Sequence, residues 1–150
     1  MLDVKGISKL ERLFRLAAQL DVDKSDLQRY TEFVNQKIYD LLLRGQAAAT
    51  ANGRDIIQPH DLPITKGLQE RVHEFKRINA EVDLQSILDA LAARPPLDLA
   101  YSVETEAELP RVFGGVSVGL ARTFKIIDPD LKNPQTMHWE QAMSIFNLLL

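Results

Sequence analysis

Apolar residues recur along most of the chain at intervals of three and four positions, the spacing of one face of an α-helix. The first stripe predicts a short helix, and its members are Ile7, Leu10, Leu13, Phe14, Ala17 and Leu20. After an acidic loop at residues 21–24, a second stripe predicts a long helix near residues 26–52. At 1.5 Å per residue this helix is about 40 Å long, so it must cross an element of equal length.

Capping signals place the ends of the long helix. Ser25 followed by Gln28 has the spacing of a capping box at its start. Asn52–Gly53 forms a stop signal at its end. Residues 54–58 then predict a short extended segment that ends before a proline.

A third helix is predicted from near His60–Asp61, with Asp61 at or near its N-cap. Pro63 fits the first turn of a helix that starts there, whereas a start at Pro59 places Pro63 too deep. The apolar members of this helix are Leu62, Ile64, Leu68, Val72 and Phe75. The first half therefore contains a short helix, a long helix, a brief strand and a medium helix.

The same order of elements recurs in the second half of the chain. Asn79 predicts the start of a second short helix, which ends before Pro95–Pro96. Thr105 and Glu108 form another capping box, which predicts a second long helix starting at Thr105 or slightly after. The apolar stripe of this helix is Leu109, Phe113, Val116, Leu120, Phe124 and Ile127. With a last helix over 139–150, the sequence predicts six helices in two sets of three, almost no strand, and an all-α fold.

A shift of the chain against itself supports this duplication. At a shift of 80 positions, residues 56–62 fall on residues 136–142, and the short helices align better at a shift of 74. The two halves share the order and periodicity of their elements rather than residue identities. We therefore predict a single domain over 1–150, built of a first motif at 1–78 and a second motif at 79–150.

The helix order and one local motif resemble a known family. Arg54 is followed seven residues later by Asp61, as in the clamp between the second loop and third helix of the histone fold, within the segment GRDIIQPHDL at residues 53–62. The chain resembles a small bacterial family of unknown function, related to archaeal-type histones, in which two histone folds are fused into one pseudo-dimer. The resemblance implies two helix–long helix–helix motifs packed as an intramolecular handshake pair, with Arg54 and Asp61 as a structural clamp.

The resemblance also implies that the two long helices, near 26–52 and 105–127, cross at their middles. Gly114, Gly115 and Gly119 lie where such a crossing needs small residues, since a missing side chain lets two backbones approach each other. The alternative is that these glycines mark an irregular or kinked segment.

Composition excludes several classes of protein. The 150 residues include 18 Lys plus Arg and 21 Asp plus Glu, and the net charge of −3 argues against a strongly basic nucleic-acid coat. The absence of cysteine excludes disulfides, thiol catalysis and Cys-ligated zinc. The charge is unevenly divided, because residues 1–75 hold 11 basic and 11 acidic side chains, whereas residues 76–150 hold 7 and 10.

Basic residues of the first half occupy positions that the histone resemblance associates with DNA. These candidate DNA-binding residues are Lys5, Lys9, Arg12, Arg15 and Lys24. The positions in the second half that correspond to the last four of them hold Asp83, Ser86, Asp89 and Glu104. Any DNA contact is therefore expected to be weak, asymmetric and confined to the first half. The alternative interpretation of the basic stripe is a solvated helix face.

Other chemistry finds little support in the sequence. No nucleotide-binding or catalytic motif is present, and the three histidines lack the spacing of a metal site, so we expect no enzyme activity, no cofactor and no metal. No run approaches 18 apolar residues, and the first residues lack the pattern of a secretory signal. We therefore expect that the protein has no membrane partner and is cytoplasmic. Association with the nucleoid is an alternative location within the cytoplasm.

These observations favour a non-enzymatic protein that acts by macromolecular association, with weak DNA binding through its first half. A protein–protein scaffold that has lost DNA binding is the alternative, and a helical enzyme or small-ligand protein with an unrecognised site is a third option. The apolar residues 145–150 either close the core or form a surface for a protein partner or for self-association.

Overall fold

A computed structural model describes residues 3–150 of the chain. Within them lie six α-helices, which are α1 (Val4–Ala18), α2 (Leu27–Ala51), α3 (Lys66–Val82), α4 (Gln85–Leu91), α5 (Val103–Ile127) and α6 (Thr136–Leu149). Two short strands, β1 (Ile56–Ile57) and β2 (Ala100–Tyr101), lie in the connections. Single 3₁₀ turns occur at Lys24–Asp26 and Pro59–Asp61. The predicted all-α class and the six helices are confirmed.

The long helix α2 lies within one residue of its predicted bounds at each end. Its start, however, is not capped in the way that the sequence predicts. The 3₁₀ turn leads directly into the helix, and the N-cap residue Asp26 makes no side-chain capping bond. The predicted Ser25–Gln28 capping box is therefore wrong. The predicted stop signal is correct, because Asn52 follows the helix and Gly53 has a φ of 72°, the left-handed conformation that glycine adopts freely.

Helix α3 begins later than the sequence predicts. Thr65 is its N-cap, and the Thr65 side chain accepts a hydrogen bond from the N–H of Leu68 at 3.1 Å. The predicted start near His60–Asp61 is wrong because the Asp61 carboxylate is already engaged by Arg54, and residues 59–61 form a separate 3₁₀ turn. The stretch from 62 to 65 is consequently a connection, not a first helical turn.

The junction between the halves also differs from the prediction. Helix α3 continues past Asn79 to Val82, so a helix start at Asn79 is wrong, and the predicted join at 78/79 lies inside α3. The side chain of Asn79 instead accepts a hydrogen bond from the N–H of Leu84 at 2.6 Å. Asp83 ends α3 in a left-handed conformation with a φ of 55°. Asn79 therefore ties the end of α3 to the start of α4.

Helix α5 starts two residues before the predicted position. Ser102 is the N-cap and accepts a hydrogen bond from the N–H of Thr105 at 3.1 Å, which replaces the predicted Thr105–Glu108 box. Thr105 is buried, and its hydroxyl donates to the carbonyl of Ile57 at 2.8 Å. The start of α5 is thus fixed by β1 as well as by its own cap. Helix α6 likewise begins earlier, at Thr136.

Each loop of the first half pairs with a loop of the second half. Strands β1 and β2 pair in parallel, with Ile57 opposite Tyr101. At the other end of the molecule, the N–H of Asp21 donates to the carbonyl of Lys132 at 2.7 Å. The two halves are therefore joined at both ends by backbone hydrogen bonds.

An aromatic cluster forms the centre of the core. Trp139 of α6 packs against Phe14 of α1, Tyr30 of α2 and Phe124 of α5, at ring-centroid distances of 4.8 to 6.2 Å. The hydroxyl of Tyr30 hydrogen-bonds to Ser117 of α5 at 2.6 Å. Four helices drawn from both halves thus share one core.

Candidate functional site

The predicted Arg54–Asp61 clamp is present. Arg54 donates from Nη1 to Asp61 Oδ2 at 2.6 Å and from Nη2 to Oδ1 at 2.5 Å, and the N–H of Gln58 donates to Oδ2 at 2.8 Å. The Asp61 side chain is 2% exposed and that of Arg54 is 32% exposed. The bond from Arg54, followed by that from Gln58, holds the pKa of Asp61 well below its usual range, and the same pairing raises the pKa of Arg54. The clamp fixes the connection between α2 and α3.

The candidate DNA-binding residues on α1 do not form one uncommitted basic surface. Lys9 donates to the carbonyl of Asp83 at 3.0 Å, and Arg15 pairs with Asp21 at 3.2 Å. Lys5 and Arg12 are exposed on the same helix. Lys24, also exposed, lies in the 3₁₀ turn before α2 rather than on α1.

The loop pair beside Lys24 is acidic. Residues 21–26 and 128–135 meet there and together carry five aspartates and two lysines. A duplex that followed the basic stripe of α1 onto these loops would meet a net negative surface, which repels phosphate.

The three glycines of α5 do not serve the crossing of the long helices. A Cβ on Gly114 would lie 2.3 Å from the ring of Phe75, and one on Gly115 would lie 2.5 Å from Val72, both residues of α3. A Cβ on Gly119 would lie 3.3 Å from Phe146 of α6. The predicted role at the α2–α5 crossing is therefore wrong, because these glycines admit α3 and α6 instead. The contact between α2 and α5 includes the Tyr30–Ser117 hydrogen bond.

A groove of about 590 Å³ lies on α5, between the first turns of α3 and the end of α6, and is named the α5 groove here. Gly115 and Gly119 of α5 line its floor. Its apolar walls include Leu68, Val116, Ile126, Ile145, Phe146 and Leu149. Its volume and mainly apolar lining are those of a small-molecule site.

Two arginines and one glutamate occupy one side of the α5 groove. Arg71 of α3 and Arg122 of α5 both line it, and both pair with the same oxygen of Glu74. Nε of Arg71 is buried and lies 2.9 Å from Glu74 Oε1 without hydrogen-bond geometry, and it has no other acceptor among residues 3–150. The neighbouring Glu70 accepts from Arg71 Nη2 at 3.4 Å and pairs with Lys66 at 2.7 Å, and the bond from Lys66 lowers the pKa of Glu70. Lys66, Arg71 and Arg122 thus meet two carboxylates, which leaves one net positive charge on this side of the groove.

Sequence reasoning missed the α5 groove and its arginines. Arg71 and Arg122 are 51 positions apart in different predicted helices, and no local spacing relates them. The available signal was the glycine pattern of α5, which indicated a close approach but did not identify the approaching helix.

The outward side of α6 is nearly uncharged. Glu140 is the sole Asp, Glu, Lys or Arg among the fourteen residues of α6, whereas the seventeen residues of α3 include seven. Met137, Gln141, Ser144 and Leu148 follow one another at helical spacing on this side, named here the outer face of α6. Met137 is 59% exposed and Leu148 is 84% exposed.

Metal-binding clusters and membrane spans do not occur within residues 3–150. No three His, Cys, Asp or Glu side chains of this range converge in a way that would hold a metal ion. Over the same range, every helix is too short or too polar to cross a bilayer.

These features define an all-helical protein of two interlocked halves with a groove on its central helix. The chain belongs to a family described as a domain of unknown function, DUF1931, whose model matches residues 10–147. Two uncharacterised proteins of Aquifex aeolicus (strain VF5) are similar to it. One is 30% identical over 139 residues, covering 84% of this chain and 81% of the relative, and the other is 28% identical over 116 residues, covering 77% and 68%.

Two solved bacterial structures are also similar. A crystal structure of a protein from Thermus thermophilus has a TM-score of 0.86 and 51% sequence identity, and the match covers 96% of this chain and 97% of that one. A 1.9 Å crystal structure of a protein from Aquifex aeolicus has a TM-score of 0.85 and 25% identity, with coverage of 100% and 99%. The descriptions of these relatives assign no activity.

Proposed function

We propose that this chain is a histone-type pair of motifs fused in one polypeptide and that it acts by protein association rather than by catalysis. The exchange of loops between the halves supports the first part, because β1 of the first motif pairs with β2 of the second and the reciprocal loops are bonded through Asp21 and Lys132. The clamp from Arg54 to Asp61 supports it further, at the position where the histone resemblance requires one.

The outer face of α6 is the observation that carries the proposal of association. A solvent-facing helix side is normally rich in charged residues, as α3 is, whereas this side exposes Met137 and Leu148 and carries a single charged residue, Glu140. Depletion of charged residues is typical of the buried part of an interface. We therefore assign this face to contact with another protein surface.

The partner that this face fits is a second copy of the chain. If two α6 helices lie antiparallel about a two-fold axis midway between Met137 and Leu148, Met137 of each copy meets Leu148 of the other, so this apolar contact forms twice. Gln141 of each copy then faces Ser144 of the other at the centre of the contact. Each copy carries a net charge of −3, and in this register Glu140 faces Ile145 of the other copy, so the two surfaces meet without directly opposed carboxylates.

Self-association is tested by substituting Leu148. Light scattering across a concentration series should show a monomer–dimer equilibrium, and Leu148→Glu should weaken dimerisation at least about tenfold, because a carboxylate would be buried twice. The matched control is Val103→Glu, which adds the same charge to an 80% exposed side chain at the start of α5 and should leave dimerisation unchanged. A wild-type chain that remains monomeric throughout, or an equal effect of both variants, would contradict the assignment.

DNA contact through α1 is the second candidate function, favoured by the exposure of Lys5 and Arg12. Phosphate contacts from Lys5, Arg12 and Lys24 predict a log–log salt slope of about −3 for binding to a short duplex. Reversing Lys5 and Arg12 to glutamate should abolish this binding and leave helicity unchanged. Lys76 and Arg77, two exposed residues of α3, provide the control for an equal charge change. If the wild-type chain does not bind the duplex at low salt, the DNA candidate fails.

A further inference from the structure

The α5 groove carries an inference separate from self-association. It does not include Leu148 or Met137, the apolar contacts assigned to the outer face of α6. Its lining combines an apolar floor and walls with the paired cations Arg71 and Arg122 on one side. A site of this kind suits a ligand that is apolar over most of its length and charged at one end.

The floor of the groove is closed at Gly119. The position that a Cβ would occupy there lies 3.3 Å from Phe146 on one side and 3.8 Å from the Cγ of Arg71 on the other. The aromatic ring and the arginine stem therefore pack closely over this glycine and leave no space for a further carbon between them. A hydrocarbon ligand lies on the outer side of this apolar floor, where Phe146 and Leu149 line the groove.

The positive charge on the arginine side of the groove favours a ligand whose charged end is negative. Arg71 and Arg122 share one oxygen of Glu74. Arg71 and Lys66 also share Glu70, so three cations face two carboxylates and the group carries one net positive charge. The Glu74 side chain is 17% exposed and is already engaged. An added carboxylate would balance this charge and accept from the terminal nitrogens of Arg71 and Arg122, both of which line the groove. The N-terminus of α3, which lines the groove at Thr65 and Gly67, adds a favourable dipole.

We propose that the α5 groove binds the carboxylate form of a medium-length acyl chain. The carboxylate lies between Arg71 and Arg122, and the hydrocarbon runs over Gly119 along Phe146 towards Leu149. Binding removes apolar walls from water and balances the net positive charge beside the groove, so the chain length and the head-group charge both contribute to affinity.

The test uses laurate as the probe, held below its micellar concentration, and compares it with two molecules of the same chain length. Calorimetric titration should show one laurate per chain, with dodecanol weaker by at least about tenfold and dodecyltrimethylammonium weaker still, because only laurate carries a carboxylate. Equal binding of laurate and dodecanol would overturn the assignment of the arginines. Failure of laurate to bind would overturn the proposal.

Variants locate the site. Arg122→Ala should weaken laurate binding about tenfold or more, and Arg111→Ala is the matched control, because Arg111 lies on the same helix, pairs with Glu108 and does not line the groove. Gly119→Leu should place a bulky side chain in the groove and block laurate, with far-UV circular dichroism measuring whether the fold is retained. Equal losses in the Arg122 and Arg111 variants would indicate non-specific adsorption and contradict the proposal.

The proposals of self-association and of acyl-chain binding can be tested independently of each other. Leu148→Glu removes the self-association contact without touching the α5 groove, so it should bind laurate as the wild type does. Loss of laurate binding in that variant would indicate that laurate binds at the dimer contact, and it would overturn the assignment to the α5 groove.

Discussion

Replacing Gly114 with alanine is expected to destabilise the protein by about 3 kcal/mol, although alanine is the better helix former. The added Cβ would lie 2.3, 2.4 and 2.5 Å from three carbons of the Phe75 ring. Phe75 is 1% exposed, so the ring has no open space into which it can rotate. Either α3 moves away from α5 or the core around Phe75 rearranges, and both lose packing that joins the two halves.

Chemical denaturation followed by circular dichroism measures this cost. Gly67→Ala is the matched control, because a Cβ there meets nothing within 4 Å and should leave stability unchanged or raise it by up to about 1 kcal/mol. Adding Phe75→Leu to Gly114→Ala should recover part of the loss, since the shorter side chain relieves the overlap. A Gly114→Ala variant as stable as the wild type would contradict the close approach of α3 to α5.

Removing the clamp carboxylate is expected to have the next largest effect. Asp61→Ala loses three hydrogen bonds, two from Arg54 and one from the N–H of Gln58, at a cost of about 2 kcal/mol. The cost stays below that of a fully buried ion pair because the Arg54 side chain is partly exposed and regains water. Asp55→Ala, an exposed carboxylate in the same connection, should change stability by less than about 0.5 kcal/mol.

The same carboxylate gives the clamp a pH dependence. The pKa of Asp61 is lower in the folded than in the unfolded chain, so the unfolded state binds the extra proton and ionisation of Asp61 favours folding. This contribution is complete above the unfolded pKa of about 3.9 and is lost as the pH falls through the folded value. Asp61→Asn lacks it, so the difference in unfolding free energy between the wild type and Asp61→Asn should shrink below about pH 4. A difference that stays constant down to acid pH would contradict the ion pair.

Hydrophobic periodicity was sufficient to predict the bodies of the helices. The stripe near residues 26–52 predicts α2 (Leu27–Ala51) closely because each apolar position meets a core that runs the full length of the helix. The positions of helix ends depend on polar and tertiary contacts, which the pattern of apolar residues does not predict. Asp61 has the properties of an N-cap in the sequence, yet Arg54 engages it, and α3 starts at Thr65 instead.

The candidate site was predictable only where its parts are close in the sequence. Arg54 and Asp61 are seven residues apart, and their pairing was predicted. The basic stripe on α1 was visible as a pattern, but the partners of Lys9 and Arg15 are set by the tertiary structure and the following loop. The α5 groove draws on three separate helices, and its polar side exists because α3 lies close enough to α5 for Glu74 to reach Arg122.

The exchange of loops between the halves also changes what the covalent link between them does. The two halves are held at both ends by backbone hydrogen bonds, from β1 to β2 and from Asp21 to Lys132. The short turn at Asp83 therefore contributes little to how the two halves are arranged. Its physical contribution is to fix the effective concentration of one half at the other, which makes their docking unimolecular and independent of dilution. In this arrangement, a chain cut at Asp83 keeps the loop pairings and the shared core but loses that protection against dissociation.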